Sequence, residues 1–341
     1  MNRIRLGRTN LMAGRSGFGA LPIQRIGIQE AGRLLRKAYD RGINFFDTAR
    51  AYTDSEEKIG AALADVRERI IIATKTGAED RKTFFAHLET SLRHLKTDYI
   101  DLYQLHNPKA LPDPDDPEGL YRALLEAKDK GMIRFIGLTN HRLDVAVAAV
   151  DSGLYDTVQY PLSLLSNDKD LGLVSLCEKK DVGLIAMKAL SGGLINNGKA
   201  AFVFLRQYRN ILPIWGVQKE SELEEFLACE QNPPPLDEAM WQIINEFRTE
   251  LSAEFCRGCG YCLPCPAQIQ IPTAARMALF LNRAVYQNYL TDEWREQMEL
   301  IEKCIDCGHC RKHCPYELDT PNLLKRNLLA YREFDAKHSK T

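Results

Sequence analysis

The sequence predicts a (β/α)8 barrel followed by a small, mainly helical, cysteine-rich domain. The chain has 341 residues, more than the roughly 200 to 250 that one barrel needs. Between residue 16 and about residue 228, short β-branched runs alternate eight times with longer stretches of helical period. Eight of the ten cysteines fall in two short clusters after residue 255. These three observations together favour an α/β barrel with an appended domain.

The candidate strands are short apolar runs, each followed by a plausible helix. They are Ser16–Leu21, Asn44–Ala49, Ile70–Thr76, Ile100–His106, Arg134–Asn140, Thr157–Ser163, Gly183–Ala189 and Ile211–Val217. Several, such as IIIAT and GLIAM, are apolar throughout, as expected for parallel strands covered on both faces. Eight consecutive βα units favour a closed barrel, with a doubly wound open sheet as the alternative.

A run of prolines, Pro233 to Pro235, marks the end of the predicted barrel because proline cannot continue a helix. Beyond it we expect a bridging helix over Leu236–Phe255 and a helical stretch over Pro266–Lys303. The predicted organisation is a barrel at residues 1–232, a linker and bridging helix at 233–255, a cysteine-rich domain at 256–330 and a polar, frayed tail at 331–341.

The charge balance excludes two classes of partner. Lys and Arg (45) almost cancel Asp and Glu (46), which leaves a formal charge of -1 and no basic field to attract nucleic acid or an anionic membrane. The N-terminus lacks the apolar stretch of a secretory signal, and no run of about 18 apolar residues occurs. We therefore expect a soluble, cytoplasmic protein with a small-molecule substrate.

Four ionisable residues stand at or just after the ends of neighbouring predicted strands, where the chemistry of such barrels is located. They are Asp47 in NFFDTA, Tyr52 in ARAYTDSEEKIG, Lys75 in IIATKTG and His106 in DLYQLHN. Because the second, third and fourth strands are neighbours around the barrel, we expect these side chains to converge on one point.

The four residue types suit the reduction of a carbonyl group. A hydride arriving at carbon builds negative charge on oxygen, which must receive a proton from a nearby acid. Tyr52 is the natural donor, although an ordinary phenol has a pKa of about 10. We expect the ammonium of Lys75 to lower that pKa and Asp47 to keep Lys75 charged and oriented. His106 is expected to orient the carbonyl oxygen or to share the proton.

With these motifs, most of residues 1–230 resembles the aldo/keto reductase family. The family's catalytic Asp, Tyr, Lys and His match the four residues above in order, spacing and strand position. The family binds NADPH, less often NADH, across the barrel mouth. By position, the resemblance implies nicotinamide contacts from Thr139, Asn140 and Gln159, pyrophosphate contacts from Leu190, Ser191, Gly192 and Gly193, and further cofactor contacts from Gly19, Ala20 and Lys219.

One segment departs from the family pattern. Where the family offers basic residues for the adenosine 2′-phosphate and then a Glu-Asn pair, this chain has WGVQKESELEEF. Lys219 suits a phosphate, but Glu222 stands where an Arg is often found and Phe226 replaces the Asn. A carboxylate repels a 2′-phosphate and accepts a hydrogen bond from a free ribose hydroxyl. The sequence therefore leaves NADH and NADPH both open, with weak nucleotide binding as a further alternative.

The cysteines form two motifs, each closed by a cysteine-proline step. CRGCGYCLPCP contains Cys256, Cys259, Cys262 and Cys265, and CIDCGHCRKHCP contains Cys304, Cys307, Cys310 and Cys314. The second motif matches the C-x2-C-x2-C-x3-C-P run of bacterial two-cluster ferredoxins, and the first is one residue shorter before its last cysteine. This spacing favours two [4Fe-4S] clusters. Zinc in two four-thiolate sites is the alternative, although zinc sites usually split their cysteines into distant pairs.

The resemblance to two-cluster ferredoxins implies that the ligands cross between the motifs. One cluster would then be held by Cys256, Cys259, Cys262 and Cys314, and the other by Cys304, Cys307, Cys310 and Cys265. The short first motif and the long helical insert between the motifs leave this crossing open.

Two hypotheses of function follow. The first is an aldo/keto reductase-like enzyme that reduces a carbonyl with NAD(P)H, or oxidises an alcohol. Its clusters would exchange electrons with a ferredoxin or another redox protein, regulate the enzyme, or only staple the C-terminal helices. The second is an electron-transfer or partner-binding iron-sulfur protein that uses the barrel as a scaffold. A hydride carries two electrons whereas a [4Fe-4S] cluster accepts one, and the sequence shows no flavin motif to connect them.

Overall fold

The protein folds as two compact units. A computed structural model describes residues 2–251, 255–283, 286–314 and 316–338. One unit comprises Met1–Ala189 and Gly198–Met240, and the other comprises Leu190–Asn197 and Trp241–Thr341. The short segment after residue 189, which the sequence assigns to the barrel, therefore groups with the C-terminal unit.

In the first unit, eight parallel strands of the described chain close into a barrel in the order β10-β3-β4-β5-β6-β7-β8-β9. The strands are β3 (Gly17–Gly19), β4 (Phe45–Asp47), β5 (Ile71–Thr76), β6 (Ile100–His106), β7 (Ile133–Thr139), β8 (Thr157–Pro161), β9 (Gly183–Met187) and β10 (Ile211–Gly216). The barrel prediction is confirmed, and each observed strand end lies within two residues of its predicted position.

Eight helices follow the strands of the described barrel. They are α1 (Ile28–Asp40), α2 (Ser55–Leu63), α3 (Arg81–Leu95), α4 (Leu120–Asp129), α5 (Leu143–Ser152), α6 (Asp168–Lys180), α7 (Gly198–Arg206) and α8 (Glu220–Gln231). Helix α1 illustrates why they pack on the barrel. Its buried residues are Ala31, Leu34, Leu35 and Ala38, a spacing that places them on a single helix face.

A short hairpin precedes the barrel and closes one end of it. Strands β1 (Arg3–Arg5) and β2 (Met12–Gly14) pair antiparallel, and Ile4, Leu6 and Ala13 join an apolar cluster with residues of the barrel strands such as Phe45. The sequence pattern does not predict this hairpin, because strands of three residues are too short to show a periodic pattern. Its packing leaves the opposite end, where the strands finish, for functional residues.

The second unit is mainly helical. Its described helices are α9 (Glu238–Glu250), α10 (Ile271–Ala274), α11 (Met277–Arg283), α12 (Asp292–Glu299), α13 (His309–Lys312) and α14 (Thr320–His338). The predicted bridging helix corresponds to α9, and part of its C-terminal end, residues 252–254, lies outside the described residues. Cys256, Cys262 and Cys310 lie in the apolar core of this unit.

The stretch Pro266–Lys303 is broken into short helices rather than continuous. Asn327 of α14 stabilises the break between α10 and α11, since its side chain accepts from Ala278 N–H (2.9 Å) and donates to the carbonyl of Ala275 (3.3 Å). Thr291 begins a new helix by accepting from Trp294 N–H at 3.2 Å. Helical periodicity alone did not reveal these interruptions.

The expected frayed tail is helical in the structure as far as His338. Tyr331 is buried and donates to the carbonyl of Tyr289 at 2.8 Å, and Arg295 of α12 makes two hydrogen bonds of 3.0 Å with Asp335. These contacts fix the last turns of α14 against the rest of the unit. In the described parts of the chain, no helix has the length and apolar character needed to cross a membrane.

Candidate functional site

A buried ion pair lies where the barrel strands end. Asp47 is the last residue of β4, and Lys75 lies near the end of the adjacent strand β5. The ammonium of Lys75 donates to Asp47 Oδ1 at 2.6 Å, to Asp47 Oδ2 at 2.8 Å and to the carbonyl of Thr48 at 2.6 Å. Both charged side chains are at most 3% exposed. These three bonds use all the protons of the ammonium.

Two buried glutamines extend this pair through the barrel interior. Gln159 of β8 donates to Asp47 Oδ1 at 3.4 Å, and Gln104 of β6 donates to Gln159 Oε1 at 2.9 Å. Gly137 of β7 leaves space for this contact, because a Cβ there would lie 2.8 Å from Gln104 Cγ. Burial raises the pKa of Asp47, whereas Lys75 and the two amides act to lower it.

Tyr52 lies in the loop between β4 and α2, and an adjacent ion pair anchors this loop. Arg50 contacts the buried carboxylate of Glu56 and also His94 Nδ1, at 3.1 Å. Glu56 accepts a further hydrogen bond of 2.6 Å from Thr74 Oγ1 of β5. Since the loop is held to a barrel strand in this way, the position of Tyr52 is defined by the scaffold rather than by the loop alone.

Lys75 and His106 both approach the ring of Tyr52. The Lys75 Nζ lies 5.3 Å from the ring centroid, and the His106 ring meets the Tyr52 ring edge-on at 5.9 Å between centroids. Burial raises the pKa of Tyr52, and the lowering effect of Lys75 does not cancel that rise. Lys75 thus acts to lower the phenol pKa, as predicted, but burial has the larger effect and the pKa lies above its ordinary value. The ammonium directs its protons to Asp47 and Thr48, so the phenol stays protonated at neutral pH.

His106 is uncharged at neutral pH. Burial, assisted by the nearby charge of Lys75, lowers the pKa of His106 to about 4. A neutral imidazole has one donor and one acceptor nitrogen, so it can orient a polar substrate atom without adding a charge.

The predicted nicotinamide residues lie beside these four side chains. Thr139 ends β7 and is paired in register with His106 on one side and Gln159 on the other. The side chain of Asn140 donates to the carbonyl of Pro108 and accepts from the N–H of Arg142, both at 2.8 Å. The structure therefore brings Thr139, Asn140 and Gln159 together with Asp47, Tyr52, Lys75 and His106. The Asn140 amide is held both by its own loop and by the loop after β6.

Three further predicted cofactor residues also lie at strand ends of the barrel unit. Gly19 is the last residue of β3, and Ala20 is buried and donates its N–H to the carbonyl of Asp47 at 2.8 Å. Lys219 immediately precedes α8. By contrast, Leu190–Gly193 forms a turn in the second unit, where the N–H of Gly193 donates to the carbonyl of Leu190 at 2.9 Å.

The start of α8 is occupied by the chain's own carboxylate. Glu222 Oε2 accepts from the N–H of Gln218 at 2.9 Å and from the N–H of Lys219 at 3.1 Å. Phe226 of the same helix stacks on Trp215 at 4.2 Å and is buried. The backbone donors at this helix start therefore face a fixed negative charge.

Five cysteines from both motifs line one cavity in the second unit. They are Cys262 and Cys265 of the first motif and Cys304, Cys307 and Cys310 of the second. We call Cys304–Cys310 the Cys304 loop. Cys307 is exposed to solvent, while Cys310 is buried. The five thiols thus surround a common space although they come from two motifs.

Cys256, Cys259 and Cys314 form a second group, and Cys262 lies within electrostatic range of Cys256 and Cys259 as well as of Cys310. Cys256 lies within electrostatic range of Cys259 and of Cys314. We call Cys256–Cys262 the Cys256 loop. The guanidinium of Arg257 stacks on the ring of Tyr316 at 4.3 Å, which joins the residue after Cys256 to the segment after Cys314. Pro315, which follows Cys314, lies outside the described residues.

The donor set suits iron-sulfur clusters. The N–H of Gly258 donates to Cys256 Sγ at 3.3 Å, an interaction that stabilises a metal-bound thiolate. Burial raises the pKa of Cys262 to about 12, so this thiol needs an electropositive partner in order to be deprotonated. Within the described chain, no three His, Cys, Asp or Glu side chains converge on a position for a single metal ion.

Comparison with known proteins identifies the barrel. The family model for aldo/keto reductases matches residues 10–202. The chain belongs to the aldo/keto reductase family. A second match, the 4Fe-4S dicluster domain, covers residues 255–319. The chain therefore combines an aldo/keto reductase barrel with a 4Fe-4S dicluster domain.

This chain spans about half to two thirds of the length of the curated relatives that it matches. L-galactose dehydrogenase of Arabidopsis thaliana is 32% identical over 209 residues, which cover 56% of this chain and 66% of that protein. An aldo-keto reductase of Bacillus subtilis is 31% identical over 176 residues, which cover 47% of this chain and 52% of that protein.

Solved aldo/keto reductase structures share the barrel. One from Pseudomonas aeruginosa is 26% identical, with a TM-score of 0.60 over 67% of this chain and 94% of its own. One from Klebsiella pneumoniae, in complex with NADP and acetate, has a TM-score of 0.62 over 72% of this chain and 94% of its own, at 21% identity. At 21% identity, the similarity to the Klebsiella pneumoniae structure shows only a shared fold.

Some residues around the site were not singled out from the sequence. Gln104 carries a signal in retrospect, because it is a polar residue inside an apolar strand and shares a strand face with His106, two residues later. Thr48 acts through its carbonyl, and the Arg50–Glu56 pair depends on tertiary contacts, so neither carries a signal of its own.

The depressed pKa of His106 predicts a pH-dependent loss of stability. The unfolded side chain titrates near 6.5 and the folded one at about 4, so between these values the unfolded chain binds an extra proton. Stability therefore falls as the pH decreases from about 6.5 towards 4. His106→Gln removes this loss, on the order of 1 kcal/mol at pH 5 after allowance for partial solvent exposure.

Urea unfolding of wild type and His106→Gln at pH 7.5 and pH 5 measures this effect. The free energy of unfolding of His106→Gln, relative to that of wild type, should increase as the pH falls. A difference that is the same at both pH values would contradict the lowered pKa.

Proposed function

We propose that this aldo/keto reductase transfers a hydride between a nicotinamide nucleotide and a small carbonyl or alcohol substrate, with Tyr52, Lys75, Asp47 and His106 as the catalytic residues. The observation that supports this most directly is the buried Lys75–Asp47 pair, at 2.6 Å, beside a half-buried phenol and a neutral imidazole. When bound, the nicotinamide supplies or accepts the hydride.

The four catalytic residues carry out proton transfer and orient the substrate. Tyr52 donates the proton to the developing alkoxide, and its raised pKa keeps that proton in place at neutral pH until negative charge appears on the substrate oxygen. Lys75 stabilises the phenolate that remains, while Asp47 fixes the position of Lys75. His106, as a neutral side chain, orients the carbonyl oxygen. In the oxidative direction the same groups act in reverse.

The barrel residues also suit a nicotinamide carboxamide. Gln159 uses one amide hydrogen for Asp47 and one acceptor position for Gln104, which leaves one donor and one acceptor position. We assign Gln159 and Thr139, with Asn140, to the carboxamide. Gly19, Ala20, Lys219 and the segment Leu190, Ser191, Gly192 and Gly193 stay assigned by resemblance to the remainder of the nucleotide.

The start of α8 favours NADH over NADPH. Glu222 holds a negative charge at the backbone N–H groups of Gln218 and Lys219, and that charge repels a 2′-phosphate while it can accept a bond from a ribose hydroxyl. We therefore propose NADH as the preferred nucleotide.

The second unit is proposed to hold two [4Fe-4S] clusters with crossed ligands. The cavity shared by Cys265 and the Cys304 loop supports one set, and the proximity of Cys256 to Cys314 supports the other. We propose that the clusters exchange electrons with a ferredoxin or another one-electron redox protein.

Removal of the phenol hydroxyl tests the catalytic proposal. Tyr52→Phe should lower kcat for NAD(P)H-dependent reduction of an aldehyde panel by about 10²- to 10⁴-fold, because the proton donor is lost. Tyr39→Phe, on α1, is the matched control and should retain activity. Turnover by Tyr52→Phe at the wild-type rate would refute this role.

Neutralisation of Glu222 tests the nucleotide proposal. Glu222→Gln keeps an oxygen acceptor for the backbone N–H groups but removes the charge, so the affinity for NADPH should rise about tenfold relative to NADH. Binding is measured by quenching of protein fluorescence. Glu220→Gln, two residues earlier on the same helix and 68% exposed, should change this ratio little. A wild type that binds NADPH more tightly than NADH would overturn the assignment.

The ligand crossing is tested by paired cysteine variants. Anaerobically purified wild type should contain about eight irons per chain. With crossed ligands, Cys314→Ala and Cys259→Ala should alter the same component of the electron paramagnetic resonance spectrum, and Cys265→Ala and Cys307→Ala should alter the other. If Cys314→Ala instead matches Cys307→Ala, the ligands do not cross, and zinc in place of iron would exclude the redox role.

A further inference from the structure

A partly buried arginine lies against the first cysteine motif. Arg276 stands between α10 and α11, where its Nε donates to the carbonyl of Pro272 at 2.7 Å and its guanidinium covers the ring of Phe280 at 4.8 Å. These two contacts fix the direction of the side chain. The guanidinium nitrogens not bound to Pro272 point towards other segments of the same unit.

Two glycines make room for this guanidinium. A Cβ on Gly258, in the Cys256 loop, would lie 2.9 Å from Arg276 Cζ, and a Cβ on Gly192 would lie 3.1 Å from an Arg276 terminal nitrogen. Both glycines have positive φ, 65° and 71°, which other residues adopt at a cost. The absence of side chains therefore lets the cation lie directly against the backbone between Cys256 and Cys259.

The charge of Arg276 faces thiols rather than a carboxylate. Across the described ranges of the chain, no Asp or Glu forms an ion pair with Arg276, and its attractive electrostatic partners are Cys256, Cys259 and Tyr289. Even a partly buried cation without an anion costs free energy, and arginine does not lose its proton to avoid that cost. An anionic cluster on Cys256 and Cys259 would supply the missing counter-charge.

The second motif has different charged neighbours. Asp306 lies within the Cys304 loop and lines the cavity that this loop shares with Cys265. Arg311 lies within electrostatic range of Cys310, but it pairs with Asp319 at 2.7 Å, which compensates its charge. The arginine beside the second motif is therefore paired with a carboxylate, whereas Arg276 beside the first motif faces thiols.

We propose that Arg276 raises the reduction potential of the cluster held by the Cys256 loop, so that an electron entering this unit comes to rest on that cluster. The inference rests on the proposed pair of [4Fe-4S] clusters. One-electron reduction by a ferredoxin-type donor adds one negative charge to a cluster that four thiolates already make anionic. A fixed cation stabilises the reduced form more than the oxidised form, and its low exposure limits screening by water and salt. Arg276 thus acts by placing a positive charge beside the cluster, and not as a ligand.

The reduction potentials of the full-length, iron-loaded protein test this proposal. In a dye-mediated anaerobic titration followed by electron paramagnetic resonance, wild type should show two one-electron steps. Arg276→Gln should lower the upper step, so that the ratio of reduced to oxidised cluster at a fixed potential falls about tenfold, which corresponds to about 59 mV for one electron. The lower step should stay in place. Arg276→Lys, which keeps the charge, should restore most of the shift.

Arg311→Gln is the matched control, because it removes an arginine beside Cys310 whose charge Asp319 already balances. It should leave both potentials near the wild-type values. Unchanged potentials in Arg276→Gln at full iron content, or an equal shift in Arg311→Gln, would overturn the proposal. If Arg276→Gln loses iron and Arg276→Lys keeps it, the result would support a role for the charge. If both variants lose iron, Arg276 acts in packing and the proposal is overturned. A wild type without about eight irons would instead refute the cluster proposal itself.

Discussion

The buried ion pair of Lys75 and Asp47 is the constraint on which the barrel site depends. An ammonium taken out of water is tolerated only if it is paired and hydrogen-bonded, and here a bidentate carboxylate and the carbonyl of Thr48 satisfy all its protons. The same pair requires polar neighbours inside an otherwise apolar barrel, which explains why Gln159 and Gln104 are buried there. The alternation of side chains along β6 then places Gln104 and His106 on one strand face.

The sequence contained most of the information about the barrel. The strands are apolar runs between turns, so their positions could be read to within two residues. The approach of Asp47 and Lys75 follows from strand order alone, because neighbouring parallel strands bring their carboxyl ends together. The nearness of Tyr52 does not follow in the same way. It depends on the Arg50–Glu56 contact, which joins a loop to β5 and leaves no periodic pattern.

The second unit was less predictable, for physical reasons. The stretch Pro266–Lys303 has helical composition, but a single buried residue of a distant helix, Asn327, bonds the backbone at the break between α10 and α11. The segment 331–338 is polar overall, so it resembled a tail, and its helix is held instead by a few specific contacts such as the bidentate Arg295–Asp335 pair. Local propensity is a weak guide where tertiary hydrogen bonds decide the outcome.

The two units use buried cations in different ways. The charge of Lys75 is cancelled at short range by Asp47, so its influence on the neighbouring Tyr52 is smaller than the effect of burial, and the phenol pKa is raised rather than lowered. Arg276 has no carboxylate within ion-pair distance in the described part of the chain, and its field therefore extends to the thiols beside it. The first arrangement suits an acid that stays protonated, whereas the second suits negative charge on the neighbouring thiols. The proposed two-electron hydride site and the proposed one-electron cluster site would need these opposite electrostatic arrangements, and one chain of nearly zero net charge offers both.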